Sequence, residues 1–168
     1  MKEKGQPSIV LETQASFNCG LIEKLVNIIV GLQASEGRAG GVFSVYDIRT
    51  KDIVTKSFGD YPDGNVSKYF QNSIEKIIEA MDNPQHLRSF QSRDEKKGML
   101  GGGVKCGNLI CAFSGFPEKL NEALSFIYAV LSANNPDFTD YDWILTEQTD
   151  KYQDNEFIMP IFTELIDI

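Results

Sequence analysis

The sequence predicts an α+β domain in which helices pack around an antiparallel sheet of about five strands. Several segments carry apolar residues at helical spacing, and short apolar runs bounded by turn residues lie between them. The densest apolar stretch, Gly98–Leu131, predicts a strand, a tight turn, a second strand, a sharp elbow and a helix. The predicted order of elements is therefore a helix, two strands, a helix, two or three strands, and a helix. Because tight turns connect successive strands, those strands are predicted to be antiparallel.

The first half of the chain contains an amphipathic helix and a hairpin. The helix spans Ala15–Gln33, and glycines 37, 40 and 41 lie in the loop that ends it. Val42–Asp47 predicts a strand, residues 49–52 a turn, and Ile53–Phe58 the return strand.

A second helix is predicted over Val66–Met81, and Asp82-Asn83-Pro84 ends it. Its inward residues are predicted to be Tyr69, Phe70, Ile74, Ile77, Ile78 and Met81. Glu75 and Glu79 share one face with lysines nearby, and since no histidine joins them, this pattern favours a solvated surface over a metal site.

The central stretch carries the clearest turn signals. Gly107-Asn108 predicts a two-residue hairpin turn, and glycines 101–103 favour a bulge over a phosphate loop because no Lys-Ser or Lys-Thr pair follows. Ser114-Gly115-Phe116 predicts an elbow into a helix whose first turn contains Pro117 and Glu118. Two thiols, Cys106 and Cys111, flank the hairpin turn.

The composition changes near residue 136, which divides the chain into a domain over 1–136 and an extension over 137–168. The extension holds nine carboxylates against Lys151 alone. It also contains six aromatic residues and a short amphipathic helix that includes Pro160. We therefore expect the extension to pack on the domain or on a partner.

Charge and composition exclude several classes of function. The formal net charge is −8, and no basic stripe is present for nucleic acid or an anionic membrane. No apolar run approaches a membrane span, so we expect a cytoplasmic protein. Three cysteines without a CxxC pair favour free thiols over a disulfide or zinc site. No acid, base or nucleophile set stands out, which favours a protein that is not an enzyme.

Candidate ligand-binding residues lie in three places. The backbone amides of Ser114, Gly115 and Phe116 could hold an anion, or the elbow could simply turn the chain. The loop Gly59–Asn65, which includes Asp63, could line a site or merely connect two elements. Arg93 lies in a charged connector whose cations suit an anionic ligand group. No metal site is predicted.

The sole histidine, His86, follows the end of the second helix. A single histidine with no nearby nucleophile pattern cannot supply a catalytic triad. It could be a lone axial ligand or a proton acceptor, and a surface or capping role is the alternative.

The chain resembles the GlcG/HbpS-like heme-binding family over roughly residues 21–133. The resemblance rests on Val42–Asp47, Ser73-Ile74-Glu75-Lys76, Gly101–Val104 and Leu109–Gly115. That family's Asp-Ala-Gly-Gly turn is replaced here by Asp47-Ile48-Arg49-Thr50. The resemblance implies a profilin-like fold and a heme or related tetrapyrrole ligand, with His86 as the candidate iron ligand.

These observations lead to two hypotheses about function. The first is a self-associating small-ligand-binding or sensor domain, with the ligand near the elbow and the loop Gly59–Asn65. The second is a protein interaction or adaptor module that uses the sheet and the acidic C-terminal segment. We expect a homo-oligomer, and a protein partner under the second hypothesis.

Overall fold

The computed structural model describes residues 17–85, 87–88, 91, 94, 96, 101–134 and 155–167. The predicted contacts of residues 137–154 therefore lie outside the described residues. The helices and strands within this part of the chain are α1 Cys19–Val30, β1 Ala39–Asp47, β2 Asp52–Asp60, α2 Val66–Asp82, β3 Gly103–Cys106, β4 Leu109–Ser114, α3 Glu118–Asn134 and α4 Ile158–Ile166. Short 3-10 helices cover Gln33–Ser35 and Asp63–Asn65.

The strands form one antiparallel sheet with the order β2-β1-β4-β3, which confirms the α+β class. The sheet has four strands in the described residues, whereas about five were predicted. An isolated antiparallel bridge joins Arg88 to Val104 on the outer side of β3. The predicted turn at Gly107-Asn108 is confirmed, and Gly107 adopts a φ of 56°.

The two faces of the sheet are covered by different helices. Alternate residues along a strand point to opposite faces, so Phe43, Val45, Cys111 and Phe113 face α1, α3 and α4. On this side the ring of Tyr128 packs edge-on against Phe43, with 4.8 Å between the ring centroids. The opposite face packs against α2. None of the described helices is long and apolar enough to cross a membrane.

The predicted inward face of α2 is confirmed at Ile77, which is buried, and is wrong at Phe70, Ile78 and Met81. Phe70, Ile78 and Met81 are about half exposed, whereas the buried residues of this helix are Ser73, Lys76, Ile77 and Ala80. The apolar residues of α2 form one broad stripe, and the sheet covers only one edge of it, so periodicity alone does not identify the side that faces the sheet. The side against the sheet also includes the small residues Ser73 and Ala80.

One further prediction is wrong. Gly40 and Gly41 lie inside β1 rather than in the preceding loop, because the strand begins at Ala39. The two thiols that flank the hairpin turn do not lie opposite one another, since Cys106 pairs with Leu109 and Cys111 with Val104. All three cysteines are free thiols, as predicted.

Polar side chains of α3 are buried and each has a hydrogen-bonding role. The hydroxyl of Ser125 accepts a hydrogen bond from the Phe113 amide at 3.0 Å, where the pairing of β4 with β3 has ended. The carboxylate of Glu122 pairs with Arg88 at 3.2 Å and accepts a hydrogen bond from Asn155 at 3.1 Å. Glu122 thereby links α3 to the outer side of β3 and to Asn155, which lies three residues before α4.

The backbones of β1 and the elbow after β4 approach closely at Gly115. A Cβ atom at this position would collide with the carbonyl oxygen of Gly40 and lie 2.6 Å from the Cα atom of Gly41. Both contacts are to backbone atoms, which cannot move aside without disturbing the sheet. Only glycine fits at this crossing.

We predict that Gly115→Ala lowers the free energy of unfolding by about 2 kcal/mol or more, because the added methyl group overpacks the crossing. Gly64→Ala is the matched control, since a Cβ atom there meets no atom within 4 Å. Urea denaturation of both variants measures the difference. Equal stability of the two variants would contradict the close approach.

Candidate functional site

A cavity of about 860 Å³ opens at the end of the sheet where β1 begins and β2 and β4 end. The elbow residues Ser114, Gly115 and Phe116 form one wall. The connection after β2 contributes Tyr61 and Pro62. We call this space the elbow cavity. It lies where three antiparallel strands leave the sheet, so their connecting segments converge around it.

The opposite wall is one face of α2. Lys68, Tyr69, Asn72 and Lys76 all line the cavity, and their spacing of three or four residues places them on one side of the helix. The ring of Tyr69 packs edge-to-face against Tyr61, with 6.2 Å between centroids and an interplanar angle of 86°. The cavity thus combines aromatic rings with cationic side chains.

Lys76 is the most unusual residue of this wall, because it is a lysine that is only 2% exposed. Its Nζ atom donates a hydrogen bond to the carbonyl oxygen of Phe113 at 2.8 Å. Burial lowers the pKa of Lys76 to about 8, and the nearby carboxylates of Glu118 and Glu79 oppose that shift. The ammonium group therefore lies between a backbone carbonyl of β4, the cavity and two acidic side chains.

Glu79 lies one turn after Lys76 on α2 and is itself perturbed. Burial raises its pKa to about 7; Lys76 acts in the opposite direction, and Glu75 and Glu118 add to the rise. Its Oε1 atom is buried and has no hydrogen-bond partner among the described residues. The Glu118 carboxylate accepts a hydrogen bond from the Gly101 amide at 3.1 Å.

The elbow itself is held by Asn121 of α3. Its side-chain oxygen accepts a hydrogen bond from the Phe116 amide at 3.0 Å, and its Nδ2 atom donates to the Phe116 carbonyl at 2.7 Å. The Phe116 ring stacks on Phe113, with 5.2 Å between centroids. The Phe116 amide is thus already bonded within the protein, so the elbow does not present it as a free donor to an anion.

The structure places only some of the sequence-predicted site residues in the wall of the elbow cavity. Ser114, Gly115 and Phe116 line the elbow cavity, and Asp63 begins the short 3-10 helix between Pro62 and α2. His86 and Arg93 lie outside the described residues.

Sequence reasoning assigned Lys76 to a solvated face and so missed it as a site residue. The signal that could have found Lys76 is the row of polar residues Asn65, Lys68, Asn72 and Lys76, spaced like one side of a helix.

The arrangement offers cations and hydrogen-bonding groups rather than a metal site. Within the described residues, no group of three or more His, Cys, Asp or Glu side chains could hold a metal ion. Comparison with known proteins gave no match to a family model, to a curated protein or to a solved structure.

The lowered pKa of Lys76 predicts a specific dependence of stability on pH. Between pH 8 and 10.5 the unfolded chain holds the Lys76 proton more firmly than the folded protein, so the free energy of unfolding rises with pH. We expect the wild type to gain about 1 kcal/mol relative to Lys76→Met between pH 8 and 9. Urea denaturation at both pH values measures this difference. A constant difference between the two proteins would contradict the shift.

Proposed function

We propose that this protein is a non-enzymatic, profilin-like binding domain whose small ligand occupies the elbow cavity. The observation that carries the proposal is a cavity of about 860 Å³ with a buried lysine in its wall. Ligand sites are typically concave spaces of about 300–1,000 Å³ with mainly apolar walls and a few polar groups. Tyr61, Tyr69 and Phe116 supply aromatic surface here, and Lys68, Asn72 and Lys76 supply the polar groups.

The layer arrangement supports the profilin-like part of the proposal. One helix, α2, covers one face of the sheet, and the described helices α1, α3 and α4 lie on the other side. The cavity forms where α2 leaves room beside the elbow. The resemblance to the heme-binding family makes a tetrapyrrole the first ligand to test.

We predict that hemin binds the wild-type protein with one-to-one stoichiometry and that Asn72→Trp weakens this binding at least tenfold. Asn72 lines the cavity, so an indole there would fill space that the ligand needs. Gln71→Trp is the matched control, because Gln71 is exposed on α2 and bonded to Glu75 at 2.7 Å. Soret absorbance titration and native mass spectrometry provide the measurements.

The outcomes separate ligand identity from ligand position. Hemin uptake that is equally strong in Asn72→Trp would contradict the elbow cavity as the heme site. A wild-type protein that carries no small molecule as purified and takes up no hemin would contradict the tetrapyrrole.

We also propose a second function, self-association through α2, because of one specific observation. Val66, Phe70, Ile78 and Met81 recur at helical spacing and are each more than a third exposed. We call these residues the outer stripe. Two copies of α2 packed antiparallel would therefore join their outer stripes.

We predict that Phe70→Lys combined with Ile78→Lys weakens a wild-type dimer at least tenfold, since charge would replace apolar contact on the outer stripe. Gln71→Lys together with Glu75→Lys is the control, because it adds positive charge beside the outer stripe and leaves the stripe intact. Sedimentation velocity over a concentration series measures the dissociation constant. A wild-type protein that stays monomeric at about 100 µM, the concentration at which a weak dimer should form, would contradict this role. A dimer that is equally stable after Phe70→Lys and Ile78→Lys would also contradict it.

A further inference from the structure

The wall of the elbow cavity contains Lys76, whose ammonium group has one hydrogen-bond acceptor among the residues that the structure describes. A lysine ammonium has three donor hydrogens. In the described part of the chain, the Phe113 carbonyl oxygen is the acceptor for one of them. Because Lys76 is only 2% exposed, bulk water cannot readily serve the other two. A buried cation in this state is costly unless another acceptor reaches it.

The carboxylates nearest to Lys76 do not meet this need. Glu79 on α2 and Glu118 on α3 act on its charge, yet neither forms an ion pair with it within 4.0 Å in the described residues. Glu118 is oriented by the Gly101 amide at 3.1 Å. From the sheet, β4 presents the Phe113 carbonyl, and Gly102 before β3 approaches the Nζ atom so closely that a Cβ there would lie 2.9 Å away.

The remaining direction is the cavity, which Lys76 lines. Arg38 and Lys68 also line it, so among the described residues three cationic side chains line this space against the two carboxylates of Asp60 and Glu118. The edge-to-face pair of Tyr61 and Tyr69 provides aromatic surface in the same wall. A ligand that matches these groups has an acidic group and a flat ring system.

We propose that the elbow cavity binds a small aromatic acid and that the Lys76 ammonium holds its anionic group. This inference rests on the proposed ligand-binding function and adds the chemical class of the ligand. The anion would accept the hydrogen bonds that the protein leaves unfilled at Lys76. The ring would contact Tyr61 and Tyr69, and Lys68 would add a weaker, solvent-screened attraction.

Two fluorescent probes that differ in one group test the inference. 8-Anilinonaphthalene-1-sulfonate carries an anion, and N-phenyl-1-naphthylamine has the same ring system without it. We expect the ratio of their affinities to shift toward the neutral probe by roughly tenfold to a hundredfold in Lys76→Met, because a charge-assisted hydrogen bond is lost. Lys76→Arg keeps the cation and is expected to retain most of the preference for the sulfonate.

The controls distinguish failure of this inference from failure of the proposed function. Circular dichroism verifies that each variant is folded, and the neutral probe reports whether Lys76→Met still has a cavity. If Asn72→Trp weakens both probes but Lys76→Met leaves their ratio unchanged, the cavity binds ligands and the role of Lys76 is overturned. If neither probe responds to Asn72→Trp while Gln71→Trp behaves like the wild type, the cavity itself is overturned as the binding site.

Discussion

The structure depends on the burial of α3 on every side. Its residues from Leu120 to Leu131 are all buried between the sheet and the helices α1 and α4. Such a position tolerates polar side chains only when their hydrogen bonds are satisfied inside the protein. Asn121, Glu122 and Ser125 meet this condition by bonding the elbow, the Asn155 amide and the end of β4. The polar residues of α3 therefore also determine how the surrounding elements are joined.

The candidate site depends on the same helix. Asn121 binds both backbone groups of Phe116, so the elbow wall of the cavity is fixed by a residue that lies in the core. The facing wall belongs to α2, whose lysine reaches back to the Phe113 carbonyl of β4. The elbow wall and the Lys76 ammonium group therefore lie on opposite sides of the cavity, and both are held by hydrogen bonds within the protein. This arrangement keeps the polar groups in position before a ligand binds.

Much of the fold could be predicted because local signals and global structure agree. The turn at Gly107-Asn108, the elbow and the start of α3 follow from residues with strong backbone preferences. The buried face of α2 could not be predicted in this way, since its apolar stripe is broader than the face that the sheet covers, and the side that is buried depends on contacts distant in sequence. For the same reason Lys76 looked like a surface lysine. The elbow wall of the cavity could be anticipated from its glycine and proline residues, but its α2 wall could not.

The strand order also has a consequence for how the chain folds. β1 pairs with β2 through a short turn, yet its other neighbour is β4, with Val42 opposite Ser114 across more than seventy residues of sequence. The central pair of the sheet therefore closes a large loop that contains all of α2. Closing such a loop costs entropy before the contacts it makes are gained, and folds with many distant contacts reach the native state slowly. Before β4 pairs with β1, one edge of β1 has no partner strand, and α2 can pack only against the hairpin of β1 and β2. The joining of β1 to β4 is thus the event that creates the core, the elbow and the cavity together.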